Sequence, residues 1–155
     1  MLKHTCTSLL PKRQIESLKQ KNNNVKNYGE WLNSLHWDYY CTFTTRYQLS
    51  VKSGRRSMIR LYNLLSERYG CTIKLFWVAE PFDTKYGCHV HALIEVGDKN
   101  AITIIDLKNA WQIVSKGKGK KEYNNTTIKD YDNGKGGHFY FSKYLQRQGV
   151  DYDVF

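Results

Sequence analysis

The stretch Cys71-Thr72-Ile73-Lys74-Leu75-Phe76-Trp77-Val78-Ala79-Glu80, the turn Pro81 to Gly87, and then Cys88-His89-Val90-His91-Ala92-Leu93-Ile94-Glu95-Val96 decide the fold. Both long runs are apolar, aromatic and β-branched, so each reads as a strand. A link this short joins antiparallel neighbours, whereas parallel strands need a crossover of a dozen residues or more. Upstream, Ser53 is placed to cap a helix carrying Met58, Leu61, Leu64 and Leu65 at helical spacing, with Gly70 as its stop. Before that helix, Asp38-Tyr39-Tyr40-Cys41-Thr42-Phe43-Thr44-Thr45-Arg46 reads as a strand. Its alternation sets Tyr39, Cys41 and Phe43 against Tyr40, Thr42 and Thr44. Downstream, Thr103 or Asp106 opens a helix through Leu107, Ala110, Trp111 and Val114. Lys116 to Lys121 is a polar loop, Thr126 to Tyr131 a weak strand, and Gly137 to Gln148 a last helix. The order β-α-β-β-α-β-α is the split βαβ pattern: an α+β, ferredoxin-like antiparallel sheet with helices on one face, followed by a C-terminal helix rich in tyrosine.

The chain of 155 residues corresponds to one domain at about 150 residues per domain, and 41% hydrophobic residues suffice for one core. Residues 35–155 carry the fold pattern. Residues 1–34 read as a basic arm: Leu9, Leu10, Ile15 and Leu18 suggest a short helix, and Asn22-Asn23-Asn24 a break. Lys+Arg is 24 against 14 Asp+Glu, a net charge of +10, which favours a polyanionic partner and nucleic acid first. No apolar run is long enough to span a membrane, and Met1 to Thr5 lacks the start of a signal peptide. Gly117-Lys118-Gly119-Lys120-Lys121 lacks the spacing of an ATP-binding loop. Cys6, Cys41, Cys71 and Cys88 form no Cys-x-x-Cys pair, which disfavours a zinc ribbon; they read as reduced thiols of a cytoplasmic protein.

His89 and His91 are two apart on a strand, so both imidazoles point to one face with Cα atoms about 6.6 Å apart, while Val90 points to the other. Glu80 ends the preceding strand. If the hairpin brings it to the same face, the three make a two-histidine, one-carboxylate set suited to Mn²⁺, or to Mg²⁺ at higher concentration, with Zn²⁺ left open. Asp83 competes with Glu80 for the acidic position. The spacing His89-x-His91-x-x-x-Glu95 imitates a cupin metal motif, but the flanking glycines are absent and the helix patterns oppose an all-β fold.

The last helix contains His138-Phe139-Tyr140-Phe141-Ser142-Lys143-Tyr144-Leu145-Gln146-Arg147, with Tyr140, Lys143, Tyr144 and Arg147 on one face. Phe139, Phe141 and Leu145 form no single stripe, so the helix is expected to be held from more than one side. A tyrosine can attack a phosphodiester. Making phenolate at pH 7 costs about 4 kcal/mol for a phenol of pKa near 10, which a metal ion or a lysine can offset. Tyr140 and Lys143 above the Glu80, His89 and His91 set would complete a phosphoryl-transfer site.

In these motifs the chain resembles the HUH endonucleases, specifically the rolling-circle replication initiators. Cys41-Thr42-Phe43-Thr44-Thr45 looks like the first motif of that family, His89-Val90-His91 the second and Tyr140-Phe141-Ser142-Lys143 the third. The resemblance spans about residues 37 to 148. It implies that His89, His91 and Glu80 hold Mg²⁺ or Mn²⁺ and that Tyr140 attacks single-stranded or hairpin DNA at a replication origin. The products are a 5′-phosphotyrosine and a free 3′-OH that primes synthesis. Lys143 would steady the phosphate or the phenolate. Tyr144 is a second candidate nucleophile, and His138 stands beside the motif. A separate helicase is implied, as is a place in the cytoplasm, or in the host nucleus for a eukaryotic virus. A transposase or relaxase of the same chemistry, or a binding module without catalysis, are the alternatives. Lys143, where small single-tyrosine transposases typically carry Gln, favours the replication initiators.

The charge pattern nominates Arg46, Arg55, Arg56, Arg60, Lys118 and Lys120 for phosphate contacts. Trp37, Tyr39, Tyr40 and Tyr47 are candidates for stacking on unpaired bases.

Overall fold

The computed structural model describes residues 12–115 and 125–155. Lys118 and Lys120, the side chain of His138, and the stripe Leu9, Leu10, Ile15 and Leu18 lie outside what is described. Among the described residues the elements run α1 (Lys12–Ser34), β1 (Tyr39–Phe43), α2 (Val51–Tyr69), β2 (Lys74–Pro81), β3 (Cys88–Glu95), α3 (Ile104–Ser115), β4 (Thr127–Asp130), α4 (Gly137–Tyr144) and β5 (Asp151–Val154), with a 3-10 turn at Asn133–Lys135. The sheet order is β4-β1-β3-β2-β5, and every neighbouring pair is antiparallel. This is the ferredoxin-like α+β arrangement expected from the sequence, widened by one strand.

The period of two in each strand sorts the sheet into two faces. Tyr39, Cys41, Phe43, Leu75, Trp77, Ala79, Val90, Ala92 and Ile94 build one core with Met58, Leu61 and Leu65 of α2 and with Leu107, Ala110 and Trp111 of α3. Phe76, Val78 and Leu93 face the other way and pack with Leu32 of α1, Trp37 and Phe141 of α4. The sheet is therefore covered on both sides, which is why β2 and β3 read as nearly unbroken apolar runs.

Helix boundaries follow local chemistry. Ser50, not Ser53, caps α2: its hydroxyl accepts from the Ser53 amide at 3.1 Å. Gly70 ends that helix at φ 60°, as its position suggests. Thr103 and Asp106 form a reciprocal box at the start of α3, with the Thr103 amide donating to Asp106 at 2.8 Å and the Asp106 amide to the Thr103 hydroxyl at 3.3 Å.

Several expectations are corrected. The Asn22 to Asn24 run does not break α1, which passes straight through it. Asn costs only a few tenths of a kcal/mol in a helix, and α1 is fixed instead by docking against α4 through Gly29, which meets Phe139, and Leu32, which shares a core with Phe141. Gly29 permits the close approach: a Cβ there would stand 2.5 Å from Cδ1 of Phe139. β2 begins at Lys74 rather than Cys71, and α4 stops at Tyr144 rather than Gln148. The strand β5 is unexpected from sequence. It is clasped by Arg55, whose guanidinium donates twice to Asp151 at 2.7 Å and once to Asp153 at 2.6 Å, and lies over the Trp77 ring. No helix among the described residues is long and apolar enough to cross a membrane.

Candidate metal centre and tyrosine helix

Glu80 and His89 are direct partners in the β2–β3 register, so they share a face. His91, two residues along β3, joins them there, and its ring lies 4.4 Å from that of His89 between centroids. The Nε2 atoms of His89 and His91 stand 2.8 and 3.0 Å from one oxygen of Glu80, Oε2. One ligand atom from each residue lies within 4.8 Å of the other two. Two imidazole nitrogens and a carboxylate oxygen converging this closely could hold a divalent metal ion, and three protein donors leave coordination positions open.

The surroundings set the charge states. Glu80 and His91 are each only 6% exposed. Burial alone would raise the Glu80 carboxyl, but hydrogen bonds from His89, His91 and Arg147 outweigh it and hold the group below the usual range. Burial, then the neighbouring His89, lowers His91 to about 4 in spite of the Glu80 carboxylate. A neutral His91 is the form a metal requires. On the far side of β3, Thr42 is the register partner of His91, and its hydroxyl lies 3.4 Å from Nδ1. A hydroxyl can donate to Nδ1 when Nε2 carries the proton and accept from it when Nε2 binds a cation, so Thr42 serves both tautomers. Phe82 meets His89 edge to face at 5.0 Å.

The second oxygen of Glu80 is held by Arg147, which also pairs with Asp83. Asp83 is thus the outer partner of this arginine, and Glu80 takes the acidic position in the triad. Arg147 lies beyond the end of α4, so the turn after that helix is tied directly to β2.

The sheet-facing side of α4 is anchored by Phe141, fully buried against Phe76 and Tyr40 at 5.6 and 5.4 Å. Phe139 faces α1 at Gly29, so the helix is indeed held from two sides. Tyr144 lies flat on His91, with centroids 4.6 Å apart and planes within 6°. Its phenol is raised by burial first, then by Glu80 and Tyr140. Tyr140, one turn back, is 57% exposed, and the Lys143 ammonium stands 5.5 Å from its ring centroid.

Two cavities flank the triad. One, of about 290 Å³, opens between α4 and the β4 edge and is walled by Tyr40, Tyr131, Tyr140 and Tyr144. The other, of about 370 Å³, has His89 in its lining beside Arg46, Lys85 and Tyr47. Arg46 is thus brought to the site. Arg55 is not: its guanidinium is committed to Asp151 and Asp153, a use that the sequence hid because β5 was not recognised. Arg56 is exposed on α2, near Ser53. Trp37 and Tyr39 are not stacking surfaces but core residues, donating to the carbonyls of Leu32 and Ile102.

No protein-family model, curated protein or solved structure matches the chain.

Proposed function

We propose that the chain nicks and rejoins single-stranded DNA in the manner of the HUH replication initiators, opening rolling-circle replication. One juxtaposition supports the reading. The donor atoms of Glu80, His89 and His91 converge on a sheet face roofed by α4, the helix that carries Tyr140, Lys143 and Tyr144.

Tyr140 is assigned the attack. Its hydroxyl oxygen forms a bond to phosphorus, the phenolic proton passes to solvent, and the bond from phosphorus to the 3′-oxygen breaks. That oxygen takes a proton from solvent and leaves as a 3′-OH, and the protein keeps the 5′-phosphate. The phosphotyrosine conserves the phosphodiester energy, so a later 3′-OH can reverse the step and reseal a strand. Lys143, beside the Tyr140 ring, is placed to steady negative charge that develops at the phosphate during the attack. Tyr144 is harder to ionise, because burial and the Glu80 charge oppose it, and it serves as the wall beside His91. A divalent cation held by Glu80, His89 and His91 would polarise the phosphoryl oxygens. Thr42 fixes the His91 ring, and Arg46 offers its charge to the flanking backbone.

The test is a labelled stem-loop DNA incubated with the protein and Mn²⁺, resolved under denaturing conditions. A covalent adduct on the fragment 3′ to the nick is expected; it should vanish with a chelator and in Tyr140→Phe, and persist in Tyr144→Phe. Adduct at the wild-type level in Tyr140→Phe overturns the choice of nucleophile. Absence of adduct across a panel of hairpins and single strands, with Mn²⁺ and with Mg²⁺, overturns the enzymatic reading.

A further inference from the structure

The cavity between α4 and the β4 edge has its own chemistry. Four tyrosines, Tyr40, Tyr131, Tyr140 and Tyr144, wall a space of about 290 Å³, with Lys129 and Lys135 at its lining. We infer that this cavity receives one unpaired nucleobase of the bound DNA strand, adjacent to the phosphate carried at Glu80, His89 and His91. The inference rests on the reading of that triad as a phosphodiester site.

Three observations carry it. First, the cavity and the triad share a wall, because the Tyr144 ring that borders the cavity also lies on His91 at 4.6 Å. A base seated in the cavity therefore belongs to a nucleotide next to the reacting phosphate. Second, the volume is at the small end of the roughly 300–1,000 Å³ typical of small-molecule pockets, and its walls are π-faces. Aromatic faces accept any base by stacking, and a base must leave its duplex stack to use them. Burial pushes the Tyr40 phenol up to about 12, so it stays a neutral hydrogen-bonding group beside a base. Third, the charges are arranged for a strand rather than for a free small molecule. Lys129 is exposed at the cavity, and across the triad the second cavity presents Arg46 and Lys85. An aromatic pocket, a cation site and a basic groove thus follow one another along the sheet. The acidic groups in the wall are countered: Asp130 pairs with Lys99, and Asp132 with Lys135 at 3.6 Å.

The experiment places 2-aminopurine, a fluorescent base, at successive positions of a short single-stranded oligonucleotide. It is titrated with the full chain in a chelator, where no cleavage occurs. One position should be quenched far more than its neighbours. An abasic site at that position, and Tyr131→Leu in the protein, should each weaken binding about tenfold, the effect of losing one stacked base. Tyr131→Phe, which keeps the ring, should recover most of the binding that Tyr131→Leu loses. Uniform quenching along the strand, or undiminished binding of the abasic oligonucleotide, overturns the pocket whether or not Tyr131→Leu folds. Adduct formation with Mn²⁺ on the same oligonucleotides is scored separately. A quenched position without adduct removes the nicking reading and keeps the pocket; adduct without a quenched position does the reverse.

Discussion

A single oxygen of Glu80 faces two imidazole nitrogens while its twin faces a guanidinium, and the behaviour of the site follows from that distribution. Replacing His91 by Ala removes one of the three proposed ligands from a sheet face that Phe76, Val78 and Phe141 already fill. Manganese affinity, followed by calorimetry, should fall by about 100-fold or more, because even an outer-shell partner is worth 10–100-fold, and adduct formation should be lost while the far-ultraviolet circular dichroism is unchanged. Arg147→Met removes a positive charge from beside the triad. The expected result is manganese binding tightened by roughly a few-fold, measured by the same titration. The pH dependence has a definite sign. His91 titrates at about 4 when folded and near 6.5 when unfolded, so the unfolded chain takes up the proton first as pH falls. Its contribution to stability is therefore complete above about pH 6.5 and is lost as pH falls through 4. The depressed Glu80 acts in the same direction below its ordinary range. The metal-free protein should melt several degrees lower at pH 4.5 than at pH 7, and His91→Phe should flatten that dependence. At this scale the His89, His91 and Glu80 set was legible, because a period of two and a short hairpin fix which side chains share a face. The Arg147 contact was not: it joins positions 67 apart through a turn whose course no periodicity encodes.

Among the elements, α4 is short and could not hold its place alone, since isolated helices under about 12–15 residues are marginal in water. Its position comes from Phe141 in the sheet-side core and from α1 behind Phe139. Gly29→Val would set side-chain atoms where the Phe139 ring now lies. Overpacking of this kind costs about 1–3 kcal/mol, so a lowered melting temperature is expected, with adduct yield reduced more than manganese affinity because the tyrosines move while the triad stays on the sheet. An equal loss of both would show that α1 has no separate hold on the tyrosines. The hairpin, α2 and α3 were legible from apolar spacing, from Gly70 as the stop of α2 and from Thr103 and Asp106 at the start of α3, whereas the N-cap of α2 was placed three residues late. α1 was misread at its asparagines, because tertiary docking outweighs weak local propensity. β5 was missed because Asp151-Tyr152-Asp153-Val154 carries two acids in four residues; it is made a strand by the edge of β2 and by Arg55, both remote in sequence.

For the whole molecule, under the proposed function, the charge of +10 would supply affinity for a phosphate backbone without sequence preference. Single-strand binding should therefore weaken steeply with salt, with a slope of about −0.7 per phosphate neutralised in a plot of log affinity against log salt. Arg46→Ala combined with Lys85→Ala should make that slope shallower, whereas Tyr131→Leu should lower affinity and leave it unchanged. A filter-binding series over salt separates the two.

The tether from Arg147 to Glu80 joins the end of the tyrosine helix to a residue of the proposed cation site. Filling that site and fraying that helix therefore draw on the same carboxylate, and by reciprocity whatever disturbs one registers at the other. Amide hydrogens of the helix would then exchange with deuterium at a rate that reports occupancy of the ion, a readout that needs no DNA at all.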